Sequence, residues 1–140
     1  MSRRPQVRGL LESSLYVDDL RRARDFYTGL FGFPVLTEDE RLCALDLAGG
    51  AVLLLFRKGE TREPVRIPGG IIPSHDGAGH LHVAFAIDRE ELPRWEHRLR
   101  AEGIEIESRT TWPRGGVSIY FRDPDGHLVE LATPGVWATY

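Results

Sequence analysis

The chain contains the same succession of strand and helix patterns twice. Alternating apolar and polar residues at about 10–18 and about 81–88 predict two similar strands, and Val17 aligns with Ile87 at an offset of 70 residues. An amphipathic segment follows each strand and predicts a helix, at about residues 19–31 and 89–102. Gly32 and Gly103 end these helices. The fold must therefore contain two copies of one small unit.

Three further strand-like segments follow each helix. They lie at about residues 34–36, 42–47 and 51–57 in the first copy, and at about 105–108, 117–122 and 127–132 in the second. Turn sequences, Gly-Gly at 49–50 and Asp-Pro-Asp-Gly at 123–126, precede the last strand of each copy. Each copy therefore has the order βαβββ. The Gly- and Pro-rich residues 58–79 are predicted to connect the copies, and loops of this length are usually functional.

Composition excludes several classes of protein. The length of 140 residues suits one domain or two small halves that share a core. The formal net charge of −3 argues against nucleic acid or an anionic membrane surface as the main partner. Cys43 is the only cysteine, so an intrachain disulfide and a zinc site of four cysteines, or of two cysteines and two histidines, are excluded within one chain.

The location of the protein is predicted from its apolar runs. The N-terminal residues are polar and basic, and no apolar segment of the kind found in a leader follows them. The longest apolar run, residues 51–56, is too short to cross a membrane. We therefore expect a cytoplasmic protein with no membrane partner.

Three stretches identify a family. ESSLYVDDL at residues 12–20 with RDFY at 24–27, HVAFAI at 82–87, and SIYFRDPDGHLVEL at 118–131 resemble the vicinal oxygen chelate superfamily. That superfamily includes glyoxalase I, fosfomycin-resistance proteins, extradiol dioxygenases, methylmalonyl-CoA epimerase and bleomycin-resistance proteins. The resemblance extends over nearly the whole chain, and it is specific to the superfamily rather than to one activity.

The resemblance implies an α+β fold. Two tandem βαβββ units would form a cupped, glyoxalase-like mixed sheet of eight strands. Residues 9–133 would be a single domain, with unit one at 9–57, the connector at 58–79 and unit two at 80–133. Residues 134–140 would form a C-terminal tail.

The resemblance also implies a metal site. Ligands in this superfamily project from the first and last strands of a unit, and these positions are Glu12 and His82 in the first strands and Glu130 in the last strand of unit two. The matching position in unit one is Leu54, where glyoxalase I has a carboxylate. Family members with two units per chain commonly dimerise. We therefore expect a symmetric homodimer in which Glu12 comes from one chain and His82 and Glu130 from the other.

Strand alternation is consistent with this ligand set. A period of two places Glu130 on the opposite face from Val129 and Leu131, in a strand that is predicted to be central. A carboxylate there is costly to bury without a partner, and a divalent cation is one such partner. One imidazole and two carboxylates suit Mn(II), Fe(II), Ni(II) or Zn(II). Taken singly, Glu12 is equally explained as a surface residue, His82 as a core histidine and Glu130 as an ion-pair partner of an arginine.

Several site positions of this chain differ from those of superfamily members with known activities. Leu54 removes one of the carboxylates of glyoxalase I, and Glu12 replaces the first histidine of the extradiol dioxygenases. Thr110 and Thr139 stand where the fosfomycin thiol transferases have basic residues, although Tyr120 matches a pocket tyrosine of those enzymes.

The main prediction is a metal-dependent, glyoxalase-like enzyme. Its small substrate would chelate one divalent ion through neighbouring oxygens, with Glu130 and Tyr120 as catalytic residues. The alternative is a protein of the bleomycin-resistance type that sequesters a small molecule in an apolar cup without chemistry.

Overall fold

The computed structural model describes residues 3–140, so the first two residues of the basic N-terminal segment lie outside it. The chain divides into two compact units, with the boundary between Ala78 and Gly79. The predicted connector therefore falls almost entirely within the first unit. No helix within residues 3–140 has both the length and the apolar character needed to cross a membrane.

Each unit has the predicted order of elements. The first unit contains β1 (Glu12–Val17), α1 (Leu20–Phe31), β2 (Val35–Glu38), β3 (Leu42–Asp46), β4 (Val52–Arg57), β5 (Val65–Ile67) and β6 (Gly70–Ile72). The second contains β7 (His82–Ala86), a short 3₁₀ helix (Arg89–Glu91), α2 (Leu92–Ala101), β8 (Ser108–Thr111), β9 (Val117–Arg122) and β10 (Leu128–Ala132). The predicted α+β class and the repeated βαβββ order are confirmed.

The two units also share a sheet topology. The first sheet has the order β1-β4-β3-β2 and the second the order β7-β10-β9-β8. In each sheet the first strand pairs in parallel with the last strand of its unit, while the other pairs are antiparallel. The eight strands predicted from the repeat thus form two mixed four-stranded sheets, one in each unit.

Helix α1 shows why the first unit folds as its sequence predicts. The Asp19 side chain caps the helix by accepting a hydrogen bond from the Arg22 backbone N–H at 3.1 Å. Ala23, Tyr27 and Leu30 recur on one face and are buried, and the helix packs against β3 and β4. Gly32 ends the helix in the left-handed conformation with φ of 74°.

The core of the second unit lies on one face of β9 and β10. Ile119, Phe121, Val129 and Leu131 are all fully buried there. Because neighbouring residues of a strand point to opposite faces, Tyr120 and Glu130 point away from this core. The predicted separation of Glu130 from Val129 and Leu131 is therefore present.

The strand predicted at 105–108 is wrong, because β8 begins only at Ser108. The backbone N–H of Ile104 donates to the carbonyl oxygen of Leu99 at 2.8 Å, which closes the end of α2. Ile106, in the predicted strand, lies instead in the irregular segment between that helix end and β8. The pairing segment is instead the polar sequence Ser-Arg-Thr-Thr.

The connector contains more structure than its composition predicts. Strands β5 and β6 form a short antiparallel hairpin. The His75 side chain beyond it has its Nδ1 atom 2.5 Å from the Tyr16 hydroxyl, and buried Thr61 donates to the His75 carbonyl oxygen at 2.5 Å. A Cβ atom on Gly77 would lie 2.3 Å from the Tyr16 ring, so this part of the segment is packed against β1. It is not an open loop.

We predict that Cys43 is unreactive in the folded protein. The side chain is only 1% exposed, and burial raises the pKa of the thiol to about 11. At pH 7.5 only about one molecule in a few thousand then carries the reactive thiolate. An aromatic disulfide reagent should titrate no thiol in native protein and one thiol per chain in denaturant. Rapid labelling of native protein would show that β3 is accessible and contradict this packing.

Candidate metal centre

His82 is fixed at the start of β7 by the strand beside it. In the parallel pair, His82 lies opposite Leu128 of β10, and its Nδ1 atom is 3.0 Å from the Leu128 carbonyl oxygen. A carbonyl oxygen only accepts hydrogen bonds, so Nδ1 carries the proton in this contact. In neutral imidazole the Nε2 atom then keeps its lone pair. This is the usual way in which a backbone carbonyl prepares a metal-binding histidine.

Glu130 lies in the middle of β10, between β7 and β9. The residue is only 7% exposed, and its Oε1 atom is 3.1 Å from Nε2 of His82. The register explains the contact, because Glu130 is two residues beyond the partner of His82 and points to the same face. The fold therefore brings two of the three predicted ligands together.

This pair meets the requirement of a cation site. An ionised carboxylate oxygen and an unprotonated imidazole nitrogen both accept hydrogen bonds, so they repel each other at 3.1 Å unless a proton or a metal ion lies with them. One nitrogen and one carboxylate oxygen are donors that first-row divalent metals accept. The His82 side chain is half exposed, so an ion can reach the pair from solvent. The residues present thus fit a divalent metal.

A hydrogen-bonded chain holds the other oxygen of Glu130. The Ser118 hydroxyl donates to Oε2 of Glu130 at 2.5 Å and accepts from the Trp112 indole N–H at 2.8 Å. Ser118 is fully buried. A hydroxyl has one proton to donate, so the indole fixes its direction. The chain leaves Oε1 as the oxygen that faces His82.

Tyr120 lies directly opposite Glu130 in the antiparallel pair of β9 and β10. Burial, and after it the negative charge of Glu130, raise the pKa of Tyr120. The phenol therefore stays protonated near neutral pH and can donate a hydrogen bond. The register places Tyr120 beside Glu130, while its catalytic role remains a prediction.

A buried histidine in the turn before β10 fixes the start of β7. His127 is fully buried, and its Nδ1 atom accepts the Leu81 backbone N–H at 2.9 Å. Asp123 in turn accepts the backbone N–H of His127 at 2.9 Å. These bonds fix the residue before His82 to the residue before Leu128. The Asp-Pro-Asp-Gly-His sequence therefore aligns β7 with β10.

The His82–Glu130 pair opens into a cavity of about 600 Å³ in the second unit. Trp112 and Tyr120 line it together with residues of the C-terminal tail, which are Val136, Trp137 and Tyr140. The sequence predicted only a C-terminal tail at residues 134–140, with no role in the site. Their contribution follows from tertiary packing and has no local sequence pattern.

Glu12 belongs to the first unit. It is exposed at the start of β1 and lies opposite Val52, with Leu54 two residues further along β4. Glu12 and Leu54 thus have the same register in their sheet as His82 and Glu130 have in theirs. Within residues 3–140, no three His, Cys, Asp or Glu side chains form a group that could hold a metal ion. The predicted triad is therefore not assembled within the described part of one chain.

Comparison with known proteins identifies the family. Residues 9–131 match the model of the Glyoxalase/Bleomycin resistance protein/Dioxygenase superfamily. The chain belongs to this superfamily, as the sequence motifs predicted.

Three individual proteins with different names are similar to this chain. The chain is 32% identical to the metallothiol transferase FosB of Bacillus licheniformis over 133 residues, which cover 94% of this chain and 79% of that protein. It resembles a solved lactoylglutathione lyase from Agrobacterium tumefaciens with a TM-score of 0.87 and 32% identity, covering 96% of this chain and 99% of the other. The fosfomycin resistance protein FosX from Listeria monocytogenes gives a TM-score of 0.65 and 26% identity, with 91% and 94% coverage.

We predict that Ser118→Ala destabilises the protein. The substitution leaves the Trp112 indole N–H and the Glu130 Oε2 atom without their shared partner, and unpaired buried polar groups cost about 1–3 kcal/mol each. Urea unfolding should show this loss. Ser108→Ala, on an exposed position of the neighbouring strand, should change stability by less than about 0.5 kcal/mol. Equal stability of the two variants would contradict the hydrogen-bonded chain.

Proposed function

We propose that this protein is a metal-dependent enzyme whose site is built around His82 and Glu130. The observation that carries the proposal is the 3.1 Å approach of Nε2 of His82 and Oε1 of Glu130, two acceptors that need a proton or a metal ion between them. The names of its relatives support it, since they include a metallothiol transferase and a lactoylglutathione lyase. The metal would be Mn(II), Fe(II), Ni(II) or Zn(II), which accept this nitrogen and oxygen donor set.

The third ligand in this proposal is Glu12 of a second subunit. Glu12 has in β1 the register position that His82 has in β7, and Leu54 leaves it without the carboxylate neighbour that His82 has. Neither unit supplies three ligands by itself. A symmetric homodimer would form two identical sites, each with one unit from each chain.

A bound divalent ion supplies Lewis-acid polarisation of substrate oxygens, and three protein ligands leave positions for a substrate with two neighbouring oxygens. The Leu128 carbonyl and Ser118 hold His82 and Glu130 in their orientations. Tyr120, which is protonated, donates a hydrogen bond to an oxygen of the bound substrate. Glu130 would take a proton from the substrate and return it, and it would act as a metal ligand only while its Oε1 atom is unprotonated. The reaction is of the lyase, isomerase or transferase type.

The alternative is a non-catalytic protein that sequesters a small molecule. The observation that favours it is the wall of the cavity, where aromatic side chains and three alanines, Ala84, Ala86 and Ala132, outnumber the polar groups. Metal content separates the two functions, because the alternative does not need a cation.

We predict close to one divalent ion per chain in protein purified without a metal-affinity tag. His82→Ala, Glu130→Gln and Glu12→Gln should each weaken metal binding at least tenfold, because each removes a ligand. Elemental analysis and metal titration measure this. His97→Ala and Glu105→Gln change exposed residues and should leave the content unchanged. Metal-free protein that also takes up no added Mn(II), Ni(II) or Zn(II) would refute the enzyme and favour sequestration.

We predict that two metal-deficient variants restore metal binding when their subunits are exchanged. A dimer of one Glu12→Gln chain and one His82→Ala chain has one site with all its ligands and one site that lacks two. Random exchange should therefore restore about a quarter of the sites. Elemental analysis of the mixture, unfolded and refolded together, tests this. No restoration in a mixture that dimerises would show that the sites are not shared between subunits.

A further inference from the structure

The walls of the cavity in the second unit restrict what can bind there. Its charged or titratable lining groups are His82 and Glu130 and the phenols of Tyr120 and Tyr140, and no lysine or arginine of the described chain lines it. The remaining surface includes Phe85, Trp112 and Trp137. A strongly anionic substrate would find no cationic side chain on this wall to balance its charge. Aromatic rings offer instead stacking and apolar contact.

Trp112 offers apolar surface rather than a free hydrogen-bond donor to the cavity. Its only polar group, the indole N–H, donates to Ser118 at 2.8 Å. A ligand that touches this side chain from the cavity therefore meets carbon surface. Contact with Trp112 therefore increases the affinity of a ligand with an apolar group, whereas an additional hydrogen-bond acceptor on the ligand gains no partner there.

Trp137 is held beside the cavity by an anchored tail. The side chain is 72% exposed. The Tyr140 hydroxyl lies 2.9 Å from the carbonyl oxygen of Ile87 and 3.0 Å from that of Ala132, and it shares its proton between them. A Cβ atom on Gly116 would lie 2.4 Å from the Gly135 carbonyl carbon, so the tail backbone packs directly on the loop before β9. An exposed indole on a fixed segment is a prepared stacking surface.

We propose that the substrate of this site has a flat, aromatic body joined to its two chelating oxygens, and that Trp112 and Trp137 select it by contact with that body. This inference rests on the proposed metal-dependent function and names the substrate class of the same site. It assigns a role to the C-terminal tail, which presents the second indole. The wall that the second unit contributes has no lysine or arginine among the described residues to balance the charge of a phosphonate or another strongly anionic chelator.

Two chelators that differ only in the group attached to their chelating oxygens test the inference. Benzohydroxamate and acetohydroxamate bind a metal through the same two oxygens, and only the first has an aromatic ring. Calorimetric titration of the Mn(II)-loaded protein should show at least tenfold tighter binding of benzohydroxamate, which is the usual scale of one stacking contact. Phosphonoformate should bind no more tightly than acetohydroxamate.

Variants of the tail separate stacking from metal binding. Trp137→Ala should bring benzohydroxamate close to acetohydroxamate in affinity, while the affinities for acetohydroxamate and for Mn(II) stay the same. Trp137→Phe should retain most of the preference, because it keeps an aromatic face. Thr139→Ala changes an exposed residue of the same tail and should have no effect.

The outcomes of these experiments distinguish a failure of this inference from a failure of the proposed metal-dependent function. Protein that takes up no manganese refutes the proposed function and this inference with it. Protein that takes up manganese but binds both hydroxamates equally, or binds phosphonoformate best, refutes this inference alone. A Trp137→Ala protein that keeps the preference but no longer dimerises would show that the indole packs against a second subunit, and this too overturns the inference.

Discussion

The parallel pairing of β7 with β10 is the constraint on which the candidate site depends. Its register places His82 opposite Leu128 and two residues from the partner of Glu130, so the two side chains share a face. The same pairing supplies the carbonyl oxygen that orients the imidazole. The buried His127 ring fixes this register by binding the backbone of Leu81. The contact between His82 and Glu130 thus follows from backbone pairing, which tolerates little displacement.

The two units share one sheet topology but carry different side chains at equivalent positions. Glu12 and Leu54 occupy in the first sheet the register of His82 and Glu130 in the second. Replacing a carboxylate by leucine removes the facing pair of acceptors from the first unit, while leaving the fold unchanged. The first unit keeps one potential ligand and the second keeps two. This division is the physical basis for proposing a site shared between subunits.

Trp112 belongs both to the hydrogen-bonded chain that ends at Glu130 and to the apolar lining of the cavity. Ser118, which is oriented by the Trp112 indole, satisfies one carboxylate oxygen, so the carboxylate is tolerated within a strand whose other face is fully buried. Because the Trp112 N–H is engaged in that chain, its ring contributes only apolar surface to the cavity. Trp112 therefore helps to orient the Glu130 carboxylate through Ser118 and also lines the cavity.

The sequence by itself determined the repeated βαβββ order and the helix ends at Gly32 and Gly103, because alternation and turn residues are local properties. The candidates Glu12, His82 and Glu130 came from the resemblance of its motifs to the superfamily. The sequence misplaced β8, because the segment that pairs with β9 is the polar sequence Ser-Arg-Thr-Thr, which has no apolar alternation. Only the tertiary structure decided that His82 meets Glu130 at 3.1 Å, that Trp112 reaches it through Ser118, and that the tail presents Trp137 at the cavity. Those contacts join residues distant in the chain, and their geometry depends on strand register and packing rather than on any segment alone.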